Sequence, residues 1–588
     1  MNAYFDDSTI AAVSTPPGIG GISVIRISGS NATQVLRRVF MPARAAQSLV
    51  SAGQSWASAE PPLASAEQPP AIAEYPLPPP RKLTYGFGVA GGQILDECMA
   101  VFLPAPATYT REDMAEIHCH GSAFAVSQVL SACMTAGTRP AQPGEFTKRA
   151  FLSGRLDLTQ AEAVMDVIGA QARCASNQAL TLLQGGLRRQ VNEWLAQLVA
   201  LRAEAEAILD FPEAELDENP ALQEKVAVLA DALTQALNQA HGAKLVRQGA
   251  KLVLAGQPNA GKSSLLNALL GHERAMVTPI AGTTRDTLEE SLTMGGLQLR
   301  LVDTAGLRRA ATDDLERMGM TRTQEQLKTA DGVLWVVDAA AQMCEQALGQ
   351  TVDQACGQTS GQTICGRPAP SGTENSRLES GPCPSPPEGC PGDVKSVPVE
   401  PDDPLAELAS TCRDRKIPLC VVLAKQDLSP NWQSHAASLY DAFLPCEGGA
   451  PRVNGPSTDD DDAGAFPANR LTPTALPNPA EALRRHGFCV VSICAPRRDG
   501  LDTLEDVLQA MAMPQTNQSS LLSHARHEQA VRDARDALAR ALTAMQTLTP
   551  DAWCDDLSAA HEHLCTITGA AATPELLDAV FSQFCLGK

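Results

Sequence analysis

Aromatic side chains make up only 4% of this chain, and no apolar run approaches the ~18 to 20 residues that a membrane-spanning helix requires. A helical membrane protein is therefore not expected. Positive charge is also scarce: 46 Lys and Arg stand against 67 Asp and Glu, a net charge of −21. Such a chain is not a polycation drawn to phosphate backbones, so any nucleic-acid contact must use a local patch or a partner. The segment Met1 to Asp7 is polar and acidic and lacks the cationic start and apolar stretch of a secretory leader, which makes the cytosol the expected compartment. No disulfide framework is visible either. The 17 cysteines are scattered along a long chain and read as reduced thiols. Cys383 and Cys390 lie in a Pro/Gly-rich stretch without a second ligand pair, so zinc is not expected there.

What the chain does contain is enough material for several cores. Its 588 residues, 44% of them hydrophobic, exceed the ~150-residue norm for one domain, and 43 Gly with 42 Pro point to ordered domains broken by irregular inserts. Ile22, Val24, Ile25 and Ile27 follow the breaker Pro16-Pro17-Gly18 and predict a strand that opens an α+β domain. Residues 41 to 80 are rich in Ala, Pro and Ser without periodicity and read as a surface insert. Leu180, Leu183, Leu187, Val191, Trp194, Leu198 and Leu201 then recur at helical spacing, as do Leu222, Val226, Leu229, Leu233 and Leu237. A third series, Val531, Ala534, Leu538, Leu542, Met545 and Leu548, returns near the C-terminus. One helical domain is thus expected from both sides of an inserted module, with boundaries at 156–247 and 516–588 around 248–515. The module alternates strands, loops and helices like a parallel α/β sheet, interrupted by irregular stretches at 340–403 and 447–482.

The chemistry lies in that module. Gly256-Gln257-Pro258-Asn259-Ala260-Gly261-Lys262-Ser263 matches G-x-x-x-x-G-K-[ST] between a strand, Leu252 to Ala255, and a helix, Ser264 to Leu270. In such a loop backbone N–H groups turn inward around the β-phosphate, Lys262 adds a point charge at the β/γ oxygens, and the Ser263 hydroxyl ligates Mg²⁺. A strand from Leu299 to Val302 leads into Asp303-Thr304-Ala305-Gly306, where the carboxylate can hold a water on Mg²⁺ and the Gly306 N–H can meet the γ-phosphate. Between them lies Gly282-Thr283-Thr284-Arg285-Asp286, a switch-like loop in which Thr284 can complete the metal shell. Together these motifs indicate a nucleotide triphosphatase. Guanine selectivity belongs to an N-K-x-D loop, and Leu419 to Leu423 runs into Ala424-Lys425-Gln426-Asp427. Asp427 can accept from guanine N1–H and N2–H₂ and Lys425 can cover the ring, but Ala424 cannot make the hydrogen bonds of Asn. GTP bound less tightly than usual is the expectation. Ser492-Ile493-Cys494-Ala495 replaces the common base-edge loop, with the Ala495 N–H able to face guanine O6. Leu307 occupies the place of a water-orienting Gln, which leaves Glu316, in Glu316-Arg317-Met318-Gly319, as the nearest carboxylate for that task.

Taken together, these residues resemble the MnmE (TrmE) family of tRNA-modification GTPases over nearly the whole chain. Similar to that family are Thr15-Pro16-Pro17-Gly18-Ile19-Gly20-Gly21-Ile22 with Arg26-Ile27-Ser28-Gly29, Glu116-Ile117-His118-Cys119-His120-Gly121, and Pro143-Gly144-Glu145-Phe146-Thr147. So are Leu156-Asp157-Leu158-Thr159-Gln160-Ala161-Glu162-Ala163 and the tail Phe584-Cys585-Leu586-Gly587-Lys588, with Leu where Ile is usual. The resemblance implies a multidomain α/β plus α fold. Its parts are an N-terminal α+β tetrahydrofolate-binding-like domain (1–155), a discontinuous helical domain and an inserted Ras-like P-loop G domain. It implies a homodimer, a heterotetramer with the flavoprotein MnmG, and tRNA as substrate.

By motif position the resemblance implies that Arg26, Glu116, Arg155 and Lys588 bind a one-carbon tetrahydrofolate, with Arg155 keeping the charge of a related Lys. GTP contacts would come from Asn259, Ala260, Gly261, Lys262, Ser263 and Ser264, and from Thr278, Pro279, Ile280, Ala281, Gly282, Thr283 and Thr284. Asp303, Thr304, Ala305, Gly306, Ala424, Lys425, Gln426, Asp427, Cys494, Ala495 and Pro496 complete that set. Asn259, Thr278, Ile280 and Thr283 would hold K⁺ beside the Mg²⁺ of Ser263 and Thr284, and Glu316 would orient the attacking water. Cys585 is a reactive thiol by the same resemblance, or else a buried apolar cysteine. The implied reaction adds an aminomethyl-type or carboxymethylaminomethyl group at C5 of the wobble uridine. Folate supplies the one-carbon unit, FAD on MnmG the redox step, and GTP hydrolysis a conformational cycle. Two other readings share parts of this pattern: a GTPase switch in ribosome assembly and a folate-dependent one-carbon transferase. His118 and His120 share a strand face but lack an evident third metal ligand.

Overall fold

The computed structural model describes residues 7–45, 74–210, 220–256, 259–270, 289–303, 326–339, 404–425, 436, 439, 478–512, 521–546 and 550–587. The chain divides into two compact units, Met1–Gln248 with Thr516–Lys588, and Gly249–Gln515.

The first unit opens with a seven-stranded sheet, order β3-β4-β5-β6-β2-β1-β7. Its strands are β1 (Ile10–Val13), β2 (Gly20–Ser28), β3 (Phe40–Pro42), β4 (Thr84–Ala90), β5 (Gln93–Leu103), β6 (Met114–Gly121) and β7 (Arg139–Pro140). Alternation decides which face is covered. Ile25, Ile27, Ala115, Ile117 and Cys119 point to one side and pack with Val35 and Leu36 of α1 (Ala32–Val39) and Val129 and Ala132 of α2 (Ala123–Thr135). The intervening positions carry Arg26 and Glu116, which are in register across β2 and β6. The insert expected from residue 41 begins with β3 paired to β4, and its body, 46–73, lies outside the described residues. Two short helices follow, α3 (Glu145–Leu152) and α4 (Leu158–Gly169). An Asp157/Gln160 capping box starts α4, each side chain bonding the other residue's backbone N–H.

Within the described residues the helical series fold as their spacing predicts, with one break; Leu180 is exposed, and Leu548 lies outside the described residues. The leucine period from 180 to 201 runs through Gly185, whose φ of 79° is left-handed, so it splits into α5 (Arg173–Leu183) and α6 (Gly186–Asp210). After these come α7 (Pro220–Gln248) and, beyond the second unit and its four described helices in chain order, α12 (Ala525–Ala544), α13 (Pro550–Thr568) and α14 (Pro574–Phe581). Leu187, Val191, Leu198, Val226, Leu233, Val531, Leu538, Leu557 and Leu564 are buried in one core. Each such side chain contributes about 1.5 to 3 kcal/mol by leaving water, so residues from both sides of the second unit stabilise a single bundle.

The second unit is a six-stranded sheet, order β13-β12-β11-β8-β10-β9. Its strands are β8 (Ala250–Gly256), β9 (Glu289–Met294), β10 (Leu297–Asp303), β11 (Gly332–Asp338), β12 (Leu419–Ala424) and β13 (Phe488–Ser492). All neighbours are parallel except the β9/β10 hairpin. Its described helices are α8 (Lys262–Leu270), α9 (Pro404–Arg415), α10 (Pro479–His486) and α11 (Leu501–Ala512). The irregular stretch expected at 447–482 ends sooner than composition suggested. Asn478 accepts from the N–H groups of Ala480 and Glu481, and Pro479 starts α10. The stretch at 340–403 lies outside the described residues.

Candidate functional site

In the second unit the functional loops leave the C-terminal ends of adjacent parallel strands, where open α/β sheets place their ligands. Strand β8 ends at Gly256, φ 139°, where a Cβ would lie 2.2 Å from the Val336 carbonyl oxygen of β11. Only glycine allows that close approach. Asn259 and Gly261 also take positive φ, 64° and 100°, winding the loop into the start of α8. Lys262 is buried and its Nζ donates to the Gly256 carbonyl at 2.7 Å, so its charge lies beneath the loop. Ser263 and Ser264 are exposed at the head of α8, Ala260 is buried, and Asp303 closes β10 in register with Leu254 of β8.

The base-side loop follows β12. Ala424 is buried in register with Asp338, and Lys425 turns away with φ 59°. The Lys425 Nζ donates to the Asn259 carbonyl at 3.2 Å and pairs with Asp338, pinning the phosphate loop to the base loop. Gly261 approaches Ala424 so closely that a Cβ on the glycine would sit 3.4 Å from the alanine Cβ. Cys494 is buried with its N–H on the Asp499 carbonyl at 2.9 Å, while Ala495 is half-buried and Pro496 exposed. The rest of the expected nucleotide and cation set lies outside the described residues: Thr278, Pro279, Ile280, Ala281, Gly282, Thr283, Thr284, Thr304, Ala305, Gly306, Glu316, Gln426 and Asp427.

Replacing Ala424 by Asn is expected to tighten GTP by about 1 kcal/mol, the worth of one ordinary hydrogen bond. The amide is introduced where the base loop and the phosphate loop already touch. Titration with a fluorescent guanine nucleotide reads this directly, and unchanged affinity would mean that Lys425 alone holds the two loops together.

A second constellation lies in the first unit. Arg26 donates from Nε and Nη2 to the same Glu116 carboxylate oxygen, both at 3.0 Å, and from Nη1 to the Gly587 carbonyl at 3.4 Å. Its guanidinium sits 5.7 Å from the Tyr109 ring centroid and 5.8 Å from that of Phe146. Arg155 covers the same tyrosine at 4.7 Å and donates to the Tyr109 carbonyl at 3.1 Å. Arg26 and Arg155, distant in sequence, thus gather around one aromatic ring with Glu116 bound to Arg26, and the two guanidinium groups suit an anionic ligand. Lys588 lies outside the described residues, but Gly587 reaches the site and Ser14 Oγ donates to its carbonyl at 3.0 Å.

Sequence reasoning did not single out Tyr109 or Ser14 for this site; a lone tyrosine in a loop carries no periodic signal. Cys585 is exposed, which removes its reading as a buried apolar cysteine. His118 and His120 share a face of β6 as expected. His120 Nδ1 bonds Asp96 at 2.7 Å, and His118 Nε2 lies 3.6 Å from Glu116. Hydrogen bonding to Asp96 raises the His120 pKa above the ordinary histidine value. Among the described residues no group of three or more His, Cys, Asp or Glu is placed to hold a metal ion. None of the described helices is long and apolar enough to cross a membrane.

Comparison with known proteins covers both units. Residues 158–585 match the family model described as MnmE helical domain, and residues 9–155 match that of the GTP-binding protein TrmE N-terminus. A tRNA modification GTPase MnmE of Symbiobacterium thermophilum is 35% identical over 99% of this chain and 100% of the relative. That of Cupriavidus metallidurans is 32% identical over 98% of both chains. That of Syntrophotalea carbinolica is 41% identical over 58% of this chain and 69% of its own.

Proposed function

Because the chain belongs to the MnmE family of tRNA modification GTPases, we propose that its two constellations divide one task, nucleotide turnover in one unit and uridine modification at the other. The protein is a GTP hydrolase acting in tRNA modification. The observation that carries the division is the pairing of a phosphate loop over Lys262 with a separate Arg26/Glu116/Arg155 cluster around Tyr109.

Ser263 and Asp303 supply hard oxygen donors suited to Mg²⁺, and Asn259, Thr278, Ile280 and Thr283 are the K⁺ donors. K⁺ adds the positive charge that an arginine finger adds in other GTPases. Lys262 neutralises the phosphate oxygens, Glu316 orients the attacking water, and Asp427 reads the guanine edge. In the first unit Arg26 and Arg155 offer cationic planes to a folate carboxylate or ring, Glu116 fixes Arg26, and the Tyr109 ring holds both guanidinium groups in place. The bound folate supplies a one-carbon unit, and FAD on MnmG supplies the redox chemistry. This chain works as a homodimer, joined with MnmG into a heterotetramer in the cytosol, and the partner provides most phosphate contacts to tRNA. That last assignment follows from the net charge of −21.

Nucleoside mass spectrometry of tRNA from cells lacking the protein, with and without this chain restored, tests the reading. The C5-substituted wobble uridine should disappear and return, and purified protein should turn over GTP faster in K⁺ than in Na⁺. Intact modified uridine in the deletion strain would overturn it, leaving a ribosome-assembly switch as the reading of the GTPase unit.

A further inference from the structure

Helix α4 is short, yet it meets both the residues that lead into the tail and the segments that flank the insertion point. One face packs Leu158 and Ala161 with Leu577, Phe581 and Phe584, the residues that lead into the tail, and Met165 and Val164 lie against the same cluster. The other face carries Glu162 and Asp166, one turn apart. Glu162 takes the Arg526 fork at 3.0 and 2.9 Å and the His527 Nε2 at 2.7 Å. Asp166 holds two side chains: Arg247 Nη1 at 3.1 Å on Oδ1 and His524 Nε2 at 2.8 Å on Oδ2.

The position of those two partners is the point. Arg247 lies in the last turn of α7, just before the chain enters the nucleotide unit at Gly249, and His524 precedes α12 where the chain has returned. Arg247 also donates from Nε to the Ser523 carbonyl at 3.1 Å, tying the outgoing and returning segments together. Asp166 therefore grips the neck through which the nucleotide unit is inserted, and its own helix buttresses the residues before Cys585. A cavity of about 100 Å³ lined by Met165, Asp166, Gln178, Leu182 and Arg247 lies beside the grip.

Resting on the function proposed above, we propose that Asp166 is a positioning residue that couples GTP turnover to uridine modification, with α4 as the connecting element. A displacement of either neck segment during the GTP cycle pulls on Asp166 and, through α4, on Phe581 and Phe584. A coupling carried this way acts on the link between the sites and not on the chemistry at either one.

The test uses the full chain with its partner flavoprotein. Asp166→Asn is expected to keep GTP turnover within about twofold while modified uridine per GTP hydrolysed falls by about tenfold, the usual scale of such coupling. Asp166→Glu should recover part of the ratio. Leu538→Ala, in the bundle core, serves as a stability control: at a matched loss of Tm it should leave the ratio unchanged. An unchanged ratio in Asp166→Asn, or an equal fall in Leu538→Ala, overturns the proposal. Hydrogen exchange at 158–169 and 581–587, with GDP and with a non-hydrolysable GTP analogue, separates this from the functional reading. A nucleotide response present in the wild type and lost in Asp166→Asn supports the proposal even where no uridine is modified. Uridine modification with no nucleotide response in these segments overturns it.

Discussion

Exchanging Asp427 for Asn is expected to move nucleotide preference from GTP toward xanthosine triphosphate by roughly 10⁴-fold, the scale on which a buried hydrogen-bond mismatch discriminates between ligands. In the base site proposed above, the carboxylate would accept from both N1–H and N2–H₂ of guanine. An amide keeps one acceptor and turns a donor toward the exocyclic amino group, leaving two donors face to face. Xanthine carries a carbonyl at that position, which the amide N–H serves. The loop has the geometry for such a role at its root: Lys425, at φ 59°, turns out of β12 and anchors on the Asn259 carbonyl and on Asp338. Competition binding with the two triphosphates measures the change, and GTP affinity unaltered in the variant would remove this loop from the base site.

Local signals were legible in the sequence, and long-range ones were not. The phosphate loop could be read because its chemistry is contiguous: strand, glycines, Lys262, Ser263 and helix occur in one run, and the fold only had to place that run at a strand end. The bundle helices could be read because burial repeats with the helical period, although the pattern does not register the left-handed Gly185 that divides α5 from α6. A local signal was also overlooked. Asn478, Pro479 and Glu481 form a helix start that composition alone assigned to an irregular stretch.

The Arg26 site is different in kind. Its geometry depends on β2 and β6 pairing in register and on a loop that carries Tyr109 past both arginines, and register is set by the whole sheet. The resemblance supplied Arg26, Glu116 and Arg155 by position. Only the structure shows that both guanidinium groups come over the ring of a tyrosine without any motif of its own. Likewise Asp166 belongs to no recognisable motif, because its partners Arg247 and His524 are brought to it by the bundle.

Removing Cys585 to Lys588 is expected to abolish tRNA modification while leaving GTP turnover within about twofold, since the described polar contacts of these residues lie in the first unit, away from the phosphate loop in the chain's other compact unit. The argument is one of placement. Among the described residues the tail's polar contacts all fall in the first unit: Gly144 N–H to the Cys585 carbonyl at 3.4 Å, and Ser14 and Arg26 to the Gly587 carbonyl at 3.0 and 3.4 Å. Gly587 takes φ 85°, and a Cβ there would lie 2.2 Å from the Val13 carbonyl oxygen, so the chain runs hard against β1 on its way to Arg26. Truncation takes away these hydrogen bonds, about 1 kcal/mol each, and frees one donor of Arg26. It retains Phe581 and Phe584, whose rings are buried beside Leu158 and Ala161, so the hydrophobic anchor of the tail and the fold around it persist. The exposed Cys585 thiol is lost as well, and with it any chemistry it performs at the uridine. Steady-state GTP hydrolysis in K⁺ and nucleoside analysis of tRNA from the complemented strain give the two readouts. Normal modified uridine with the truncated chain would sink the assignment of the tail to the modification site, and loss of both activities would make the tail a structural strap.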